Sequence, residues 1–443
     1  MTAAPVMTYR TPPLRTSFGW ALAGNGVSAA CQWGLLVVVA RLGSLEMLGQ
    51  MALAVAIVSP VSTFTNLSLR AILITDWKGE FTYDEYVGQR LLSTLVSLLV
   101  IVGTVSILWA NGRTPIVAVT LAIAVGRGID SVADVYQGML QKYEAMNRMA
   151  MSLIFRGVLS LIVPAVVLPI SNNLALSMAI LAATSGVVLG IYDVPSARLV
   201  LGRVSGQSSR ADSATSRVGL SFRLRAMRDL TSVGLPLGVT AMLISLNTGI
   251  PRYFLERHGG YSDVGVFAAL VGLANAGTVA LAAASQTVIP RLSRAYGKRD
   301  LQGFVRLLFI CTAAAVFMGI SGVLVALSAG RLLLGIVFGH QYIPYSGVFL
   351  IVMAGAGTTY ITWFLGCGAT AARYFRIQPW LTGGTVVVTM ALCSRLVPRS
   401  GITGAAWAVA MSGAVQMIGY GLCDVHAVRR LRRRIVPLSG RDD

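Results

Sequence analysis

Charge is scarce in this sequence, and negative charge is the scarcer sign. Only 12% of the 443 residues are Asp, Glu, Lys or Arg, where a soluble domain carries about 25%. That leaves too little polar surface to face water all round. Basic residues outnumber acidic ones 36 to 17, a net charge of +19, and the only lysines are Lys78, Lys142 and Lys298. Cysteine is limited to Cys31, Cys311, Cys367, Cys393 and Cys423, each alone in an apolar run. With no CxxC pair and no histidine at ligand spacing, neither a metal site nor a disulfide framework is expected. A buried cysteine packs as a small hydrophobe. His258, His340 and His426 are isolated near the ends of apolar runs, a pattern of surface or capping roles rather than a proton relay. GCGATA at 366–371 lies inside an apolar run with no strand before it, so no dinucleotide and no cofactor are expected.

Hydrophobicity is what abounds. Apolar residues make up 55% of the chain and the mean hydropathy is +0.72. A helix needs about 20 predominantly apolar residues to cross a bilayer. Runs of that kind cover approximately 18–40, 48–69, 90–110, 115–138, 150–170, 173–195, 231–251, 264–289, 304–328, 344–371, 377–397 and 402–425. The expected fold is an all-α integral membrane protein of about 12 transmembrane helices. RLLLGIVFGHQYIPY, before the tenth run, is a candidate interfacial helix. Pro60, Pro164 and Pro236 fall inside runs, where neighbouring helices re-satisfy the backbone. The first run lacks a small-residue cleavage site and leads straight into Arg41, so it is expected to be the first helix rather than a signal peptide.

The placement of charge sets the orientation. With the N-terminus inside, cytoplasmic segments hold 27 Lys or Arg and external segments seven, with Arg127 and Arg156 inside spans. Such a bias places both termini in the cytoplasm of a bacterial inner membrane protein. The basic excess is therefore an orientation signal with attraction to anionic headgroups, and nucleic acid is not an expected partner.

The longest break, 196–230, contains GQSSRADSATSRVG and reads as a flexible basic cytoplasmic linker. VGLSFRLRAMRDL at its end is a candidate basic amphipathic surface helix. The linker divides an N-terminal six-helix lobe, 1–195, from a C-terminal one, 231–428, followed by a basic tail at 429–443. The halves echo each other. GIYDVPSAR ends the sixth run and GLCDVHAVR the twelfth, with Gly190, Asp193, Val194 and Arg198 all 231 residues before Gly421, Asp424, Val425 and Arg429. Pro169 and Pro398 lie 229 apart, and Arg41 and Arg252 end the first and seventh runs. LGQMALA opens the second run and VGVFAAL the eighth. Duplicated six-helix halves are a transporter signature, and an even number makes the repeats parallel.

GLPLGVTAMLISLNTGIPRYFLERHGGYSDVGVFAAL at 234–270 resembles the seventh and eighth helices of Wzx-type polysaccharide flippases. VVVARLGSLEMLGQMALAVAI, YQGMLQKYEAMNRMAMSLIFRG and GITGAAWAVAMSGAV are similar stretches, so the resemblance covers nearly the whole chain. It implies the multidrug/oligosaccharidyl-lipid/polysaccharide exporter fold, two six-helix lobes around a central cavity. It also implies transfer of a polyprenyl-diphosphate-linked oligosaccharide to the periplasmic leaflet, for O-antigen, capsule or exopolysaccharide. Membrane lipids, the lipid-linked oligosaccharide, a polysaccharide polymerase and a chain-length regulator are the partners implied. The lipid II flippase, a relative, has fourteen helices, two more than are read here. A cation-coupled multidrug antiporter of the same fold is the alternative, although the first helix has Asn25 and Gln32 but no acid. A membrane glycan-modifying enzyme is a second alternative. The external loops are short and there is no DxD pair, P-loop or GxSxG to hold a catalytic group.

Charges inside spans are costly and mark candidate sites. Arg127, Asp130 and Asp134 in the fourth helix are spaced i+3 and i+4, so they share one face. Arg156 lies in the fifth helix. On one reading the arginines hold a diphosphate by bidentate hydrogen bonds and Asp130 and Asp134 couple protons or ions. On the other, the four form an interhelical ion-pair cluster. Arg41 and Arg252 read as an external pyrophosphate site or gate, or as headgroup anchors. Arg70 and Arg291, at the cytoplasmic mouth, read as substrate contacts or ordinary positive-inside residues. Asp193 and Asp424 are expected to pair with a nearby arginine, with proton coupling the other reading. The amides Gln32, Asn66, Asn247, Asn275 and Gln286 are candidates for sugar hydroxyls, or for interhelical hydrogen bonds.

Overall fold

The computed structural model describes residues 14–76, 80–108, 114–205, 222–374 and 377–435, and among these there is no β-strand. The helices are α1 (Leu14–Leu42), α2 (Leu45–Thr65), α3 (Leu69–Thr75), α4 (Tyr83–Leu108), α5 (Thr114–Lys142), α6 (Met146–Ser171), α7 (Leu174–Val188), α8 (Val194–Ser205), α9 (Leu224–Asn275), α10 (Thr278–Gly297), α11 (Leu301–Val337), α12 (Ser346–Ala371) and α13 (Gln378–Ile435). A π turn, Leu189–Asp193, joins α7 to α8, and a 3-10 turn, His340–Tyr345, precedes α12.

Local chemistry explains where the chain turns. Asn172 ends α6 in the left-handed conformation, φ 48°, and donates its N–H to Leu168. The next residue, Asn173, caps α7 by accepting the N–H of Leu176 at 3.1 Å. Short polar side chains suit both jobs. Asp300 caps α11 in the same way, accepting from Gly303 at 2.8 Å. Glu85 reaches back to the N–H of Thr82 at 2.9 Å, the carboxylate half of a capping box.

Ten helical stretches among the described residues are long and apolar enough to cross a membrane. Two of them are too long for one crossing. At 1.5 Å per residue the 52 residues of α9 would span about 78 Å, more than twice the hydrocarbon thickness. The backbone is non-helical at Gly260, φ 78°, within α9, and at Gly401, φ 52°, within α13. Each run is thus two helices meeting at a glycine, in conformations that a Cβ disfavours. Large apolar side chains stand bare on the helix faces, among them Ile107 at 81%, Ile170 at 82% and Trp380 at 82% exposure. Such surface belongs in lipid. The chain is a multi-pass membrane protein.

The fold forms two compact units. Unit 1 comprises Met1–Val38 and Ile57–Met242; unit 2 comprises Val39–Ala56 and Leu243–Asp443. Unit 1 is packed around Leu69, Leu73, Tyr86, Met139 and Leu230. Unit 2 is packed around Leu292, Phe304, Tyr360 and Leu431.

Three details differ from the sequence reading. Residues 331–337 of the candidate interfacial stretch continue α11. Of the expected flexible linker 196–230, residues 196–205 belong to α8 and 224–230 open α9, while 206–221 lies outside the described residues. The expected eighth run breaks at Ala276–Gly277, between α9 and α10.

Candidate functional site: the charged face of α5

Arg127, Asp130, Ser131 and Asp134 recur at helical spacing on α5, so their side chains form one polar stripe. The stripe meets two groups of partners, both within unit 1. Toward α3 and α4, Asp134 accepts from Arg70 at 3.0 Å and faces the guanidinium of Arg90 at 3.6 Å. Arg70 also donates to Gln141 at 2.7 and 3.1 Å. Arg90, whose side chain is wholly buried, donates to the Asn66 carbonyl and to Ser131, each at 3.1 Å. Ser131 in turn donates to the Asn66 side chain at 3.0 Å.

Toward α6 and the π turn, Arg156 bridges two acids. It donates to Asp130 at 2.8 Å and to Asp193 at 2.7 Å. Asp193 closes the π turn and is fully buried. A buried carboxylate needs such a partner, because a lone charge there would be prohibitively costly. The side chain of Asp130 is 49% exposed, so it completes the pair from the open side. Two turns further along α5, Gln137 donates to Ser152 of α6 at 3.1 Å.

The two groups carry opposite excess charge: two arginines share Asp134, whereas two acids share Arg156. Arg127 belongs to neither. It is exposed and has no side-chain partner among the described residues. Of the charged side chains on this stripe, it alone presents an unmatched guanidinium, with a planar fork of donors suited to phosphate oxygens.

The remaining candidates have surroundings of their own. Arg291 is exposed on α10. In unit 2, Arg41 donates to the carbonyls of Val337 and Ile336 at the C-terminal end of α11, where a cation suits the negative end of the helix dipole. Arg252 donates to Ala52 at 3.4 Å, with its Nε unpartnered. Neighbouring Tyr253 donates to Ala56 at 2.5 Å. Asn247 accepts from Thr389 at 2.7 Å, an interhelical bond between α9 and α13. Gln32 is exposed and donates to Ser28 at 3.4 Å; Asn275 and Gln286 are exposed.

Sequence reasoning missed Arg90, counting it among the loop charges because it opens the third apolar run. Its neighbour Ser131 was legible in principle, one turn beyond Arg127. The pairing expected for Asp193 and Asp424 holds for one only. Asp193 bonds Arg156, whereas Asp424 is buried with neither carboxylate oxygen partnered among the described residues. No group of three or more His, Cys, Asp or Glu fit for a metal ion occurs among the described residues.

Comparison with known proteins adds the following. A family model described as "Polysaccharide biosynthesis protein" matches residues 14–296. The capsular polysaccharide biosynthesis protein CapF of Staphylococcus aureus is 24% identical over 404 residues, covering 91% of this chain and 97% of that protein. Among solved structures, an inward-facing multidrug resistance MATE family transporter of the MOP superfamily superposes with a TM-score of 0.59 at 15% identity, over 97% of each chain. A mutant of the Vibrio cholerae MATE transporter VcmN gives 0.60 at 13% identity, over 94% and 96% of the two chains. At such identities the structures show a shared fold.

Proposed function

Because the chain belongs to the polysaccharide biosynthesis protein family, we propose that it is a flippase for lipid-linked sugars. It moves a polyprenyl-diphosphate-linked oligosaccharide from the cytoplasmic to the periplasmic leaflet, for capsule or another surface polysaccharide. The observation that carries the reading is the family match joined to a transporter fold over almost the whole length. The name of the CapF relative points to the same pathway class. With α9 and α13 each counted as two crossings, the ten apolar stretches give twelve passes. The 27 to seven distribution of basic residues supports cytoplasmic termini in the inner membrane. Alternating access by duplicated six-helix halves, 1–195 and 231–428, is the proposed mode of transport.

Arg127 is the residue proposed to meet the diphosphate. Its charge is unmatched, whereas Arg70, Arg90 and Arg156 already face carboxylates. The transport itself makes and breaks no sugar bond. Polymerase and chain-length regulator follow as later partners in the same assembly line.

Deleting the protein and assaying the leaflet of the lipid-linked sugars tests the proposal. Accumulation in the cytoplasmic leaflet with loss of surface polymer is the expected result. The MATE-like fold favours one second reading, a cation-coupled drug antiporter. Normal polymer with raised drug sensitivity would establish that reading and overturn the first.

A further inference from the structure

Asp193 and Asp424 occupy matching places in the two halves, 231 residues apart and flanked by the same Gly, Val and Arg. Their surroundings differ. Asp193 holds the guanidinium of Arg156 at 2.7 Å. The positions 229 to 231 beyond Arg156 are Thr385, Val386 and Val387, none of which carries charge. Asp424 is 4% exposed, and neither Oδ1 nor Oδ2 has a hydrogen-bond partner among the described residues. It lies against Gly368 of α12, where a Cβ would come within 2.5 and 2.8 Å of the two oxygens. The glycine therefore makes room for the carboxyl. Among the described residues, the titratable groups in electrostatic reach are the thiols of Cys367 on α12 and Cys423 beside it on α13. Neither supplies positive charge. His426, one half-turn on, is exposed and edge-on to Tyr374, and Arg429 and Arg430 are exposed.

An ionised carboxylate enclosed this way, with no cation and no donor, is far less favourable than the same group made neutral. We infer that Asp424 is a proton-binding site: the carboxyl takes up one proton here, which does for it what Arg156 does for Asp193. The second half of the protein has thus exchanged a fixed counter-charge for a removable one. The proton that couples transport is carried at Asp424, rather than at Asp130 or Asp134, whose carboxylates already face arginines. That coupling role rests on the flippase reading; the protonation does not.

The test treats the purified full-length protein in lipid nanodiscs with a lipophilic carbodiimide, which adds to protonated carboxyls in apolar surroundings, and maps adducts by mass spectrometry. At neutral pH, labelling at Asp424 several-fold above that at Asp193 is expected. Asp424 unlabelled, or labelled no more than Asp193, overturns the site. This measurement uses the unaltered protein, so it does not depend on a variant folding. For the coupling role, transport by the unaltered protein is measured against pH beside that of Asp424→Asn. A flattened pH profile in the variant supports coupling at Asp424, and an unchanged one overturns it. Absence of any flipping by the unaltered protein, with Asp424 labelled, defeats the flippase reading and leaves the proton site standing.

Discussion

Gly49 and Gly265 pack backbone to backbone, and they do so reciprocally. A Cβ on Gly49 would strike the carbonyl of Tyr261 and sit 3.1 Å from the Gly265 nitrogen. A Cβ on Gly265 would strike the carbonyl of Leu45 and sit 3.0 Å from the Gly49 nitrogen. Each glycine thus meets the residue four before the other, as a local two-fold axis requires. The pair stands at the same place in LGQMALA and VGVFAAL, the openings of α2 and of the second part of α9.

Alanine at either glycine has nowhere to go. Gly49→Ala and Gly265→Ala should each lower stability by about 1–3 kcal/mol, the usual cost of overpacking. Since they strain one contact, the double variant should lose less than the sum of the two. Thermal unfolding in detergent reads both effects, and full additivity would show that the two glycines are independent.

Removing Arg156 strands a buried acid. Arg156→Leu is expected to destabilise by about 3–5 kcal/mol, because Asp193 is left without a counter-charge. Asp130→Asn, at the half-exposed end of the same bridge, should cost only about 1 kcal/mol or less. Expression level and unfolding temperature distinguish them, and equal losses would mean that Asp130 is as essential to packing as Asp193.

Arg127 predicts the opposite behaviour. Having no partner to lose, Arg127→Gln should change stability by no more than about 0.5 kcal/mol. Flipping should fall at least tenfold, since two bidentate charge-assisted bonds contribute well over about 1.4 kcal/mol. Arg127→Lys, which keeps the charge but not the fork, should recover part of the activity. Full activity in the glutamine variant would remove Arg127 from the substrate path.

Arg41 is anchored to helix-end carbonyls, so its loss should be structural and modest. Arg41→Ala is expected to lower stability by about 0.3–1 kcal/mol, through the lost interaction with the α11 terminus. A loss of transport at full stability would instead argue for contact with the substrate.

Much of this was legible beforehand because lipid leaves so few choices. Apolar length revealed the helical membrane class, and the spacing of Arg127, Asp130 and Asp134 revealed their common face. The amides proved less telling, since Asn66 and Asn247 bond within the protein while Gln286 is exposed, with no such bond among the described residues. Arg90 escaped notice because a charge at the start of an apolar run normally lies at the interface; here the Asn66 carbonyl, in the turn between α2 and α3, and Ser131 of α5 hold it inside. The solitude of Asp424 was equally hidden. Its sequence context matches that of Asp193, and only the absence of an arginine on a distant helix separates them. The junctions at Gly260 and Gly401 are compressed to single residues with positive φ, where hydropathy alone suggests longer loops.

The Asn172–Asn173 turn has a bearing on biogenesis. It joins α6 and α7 so tightly that the two helices emerge from the ribosome as one hairpin. Arg156 lies on the first arm and Asp193 just past the second. The hairpin therefore carries both members of that ion pair, so entering the bilayer as a unit would bring each charge in with its partner. Translation order, as much as final packing, favours keeping that arginine and that acid in consecutive helices.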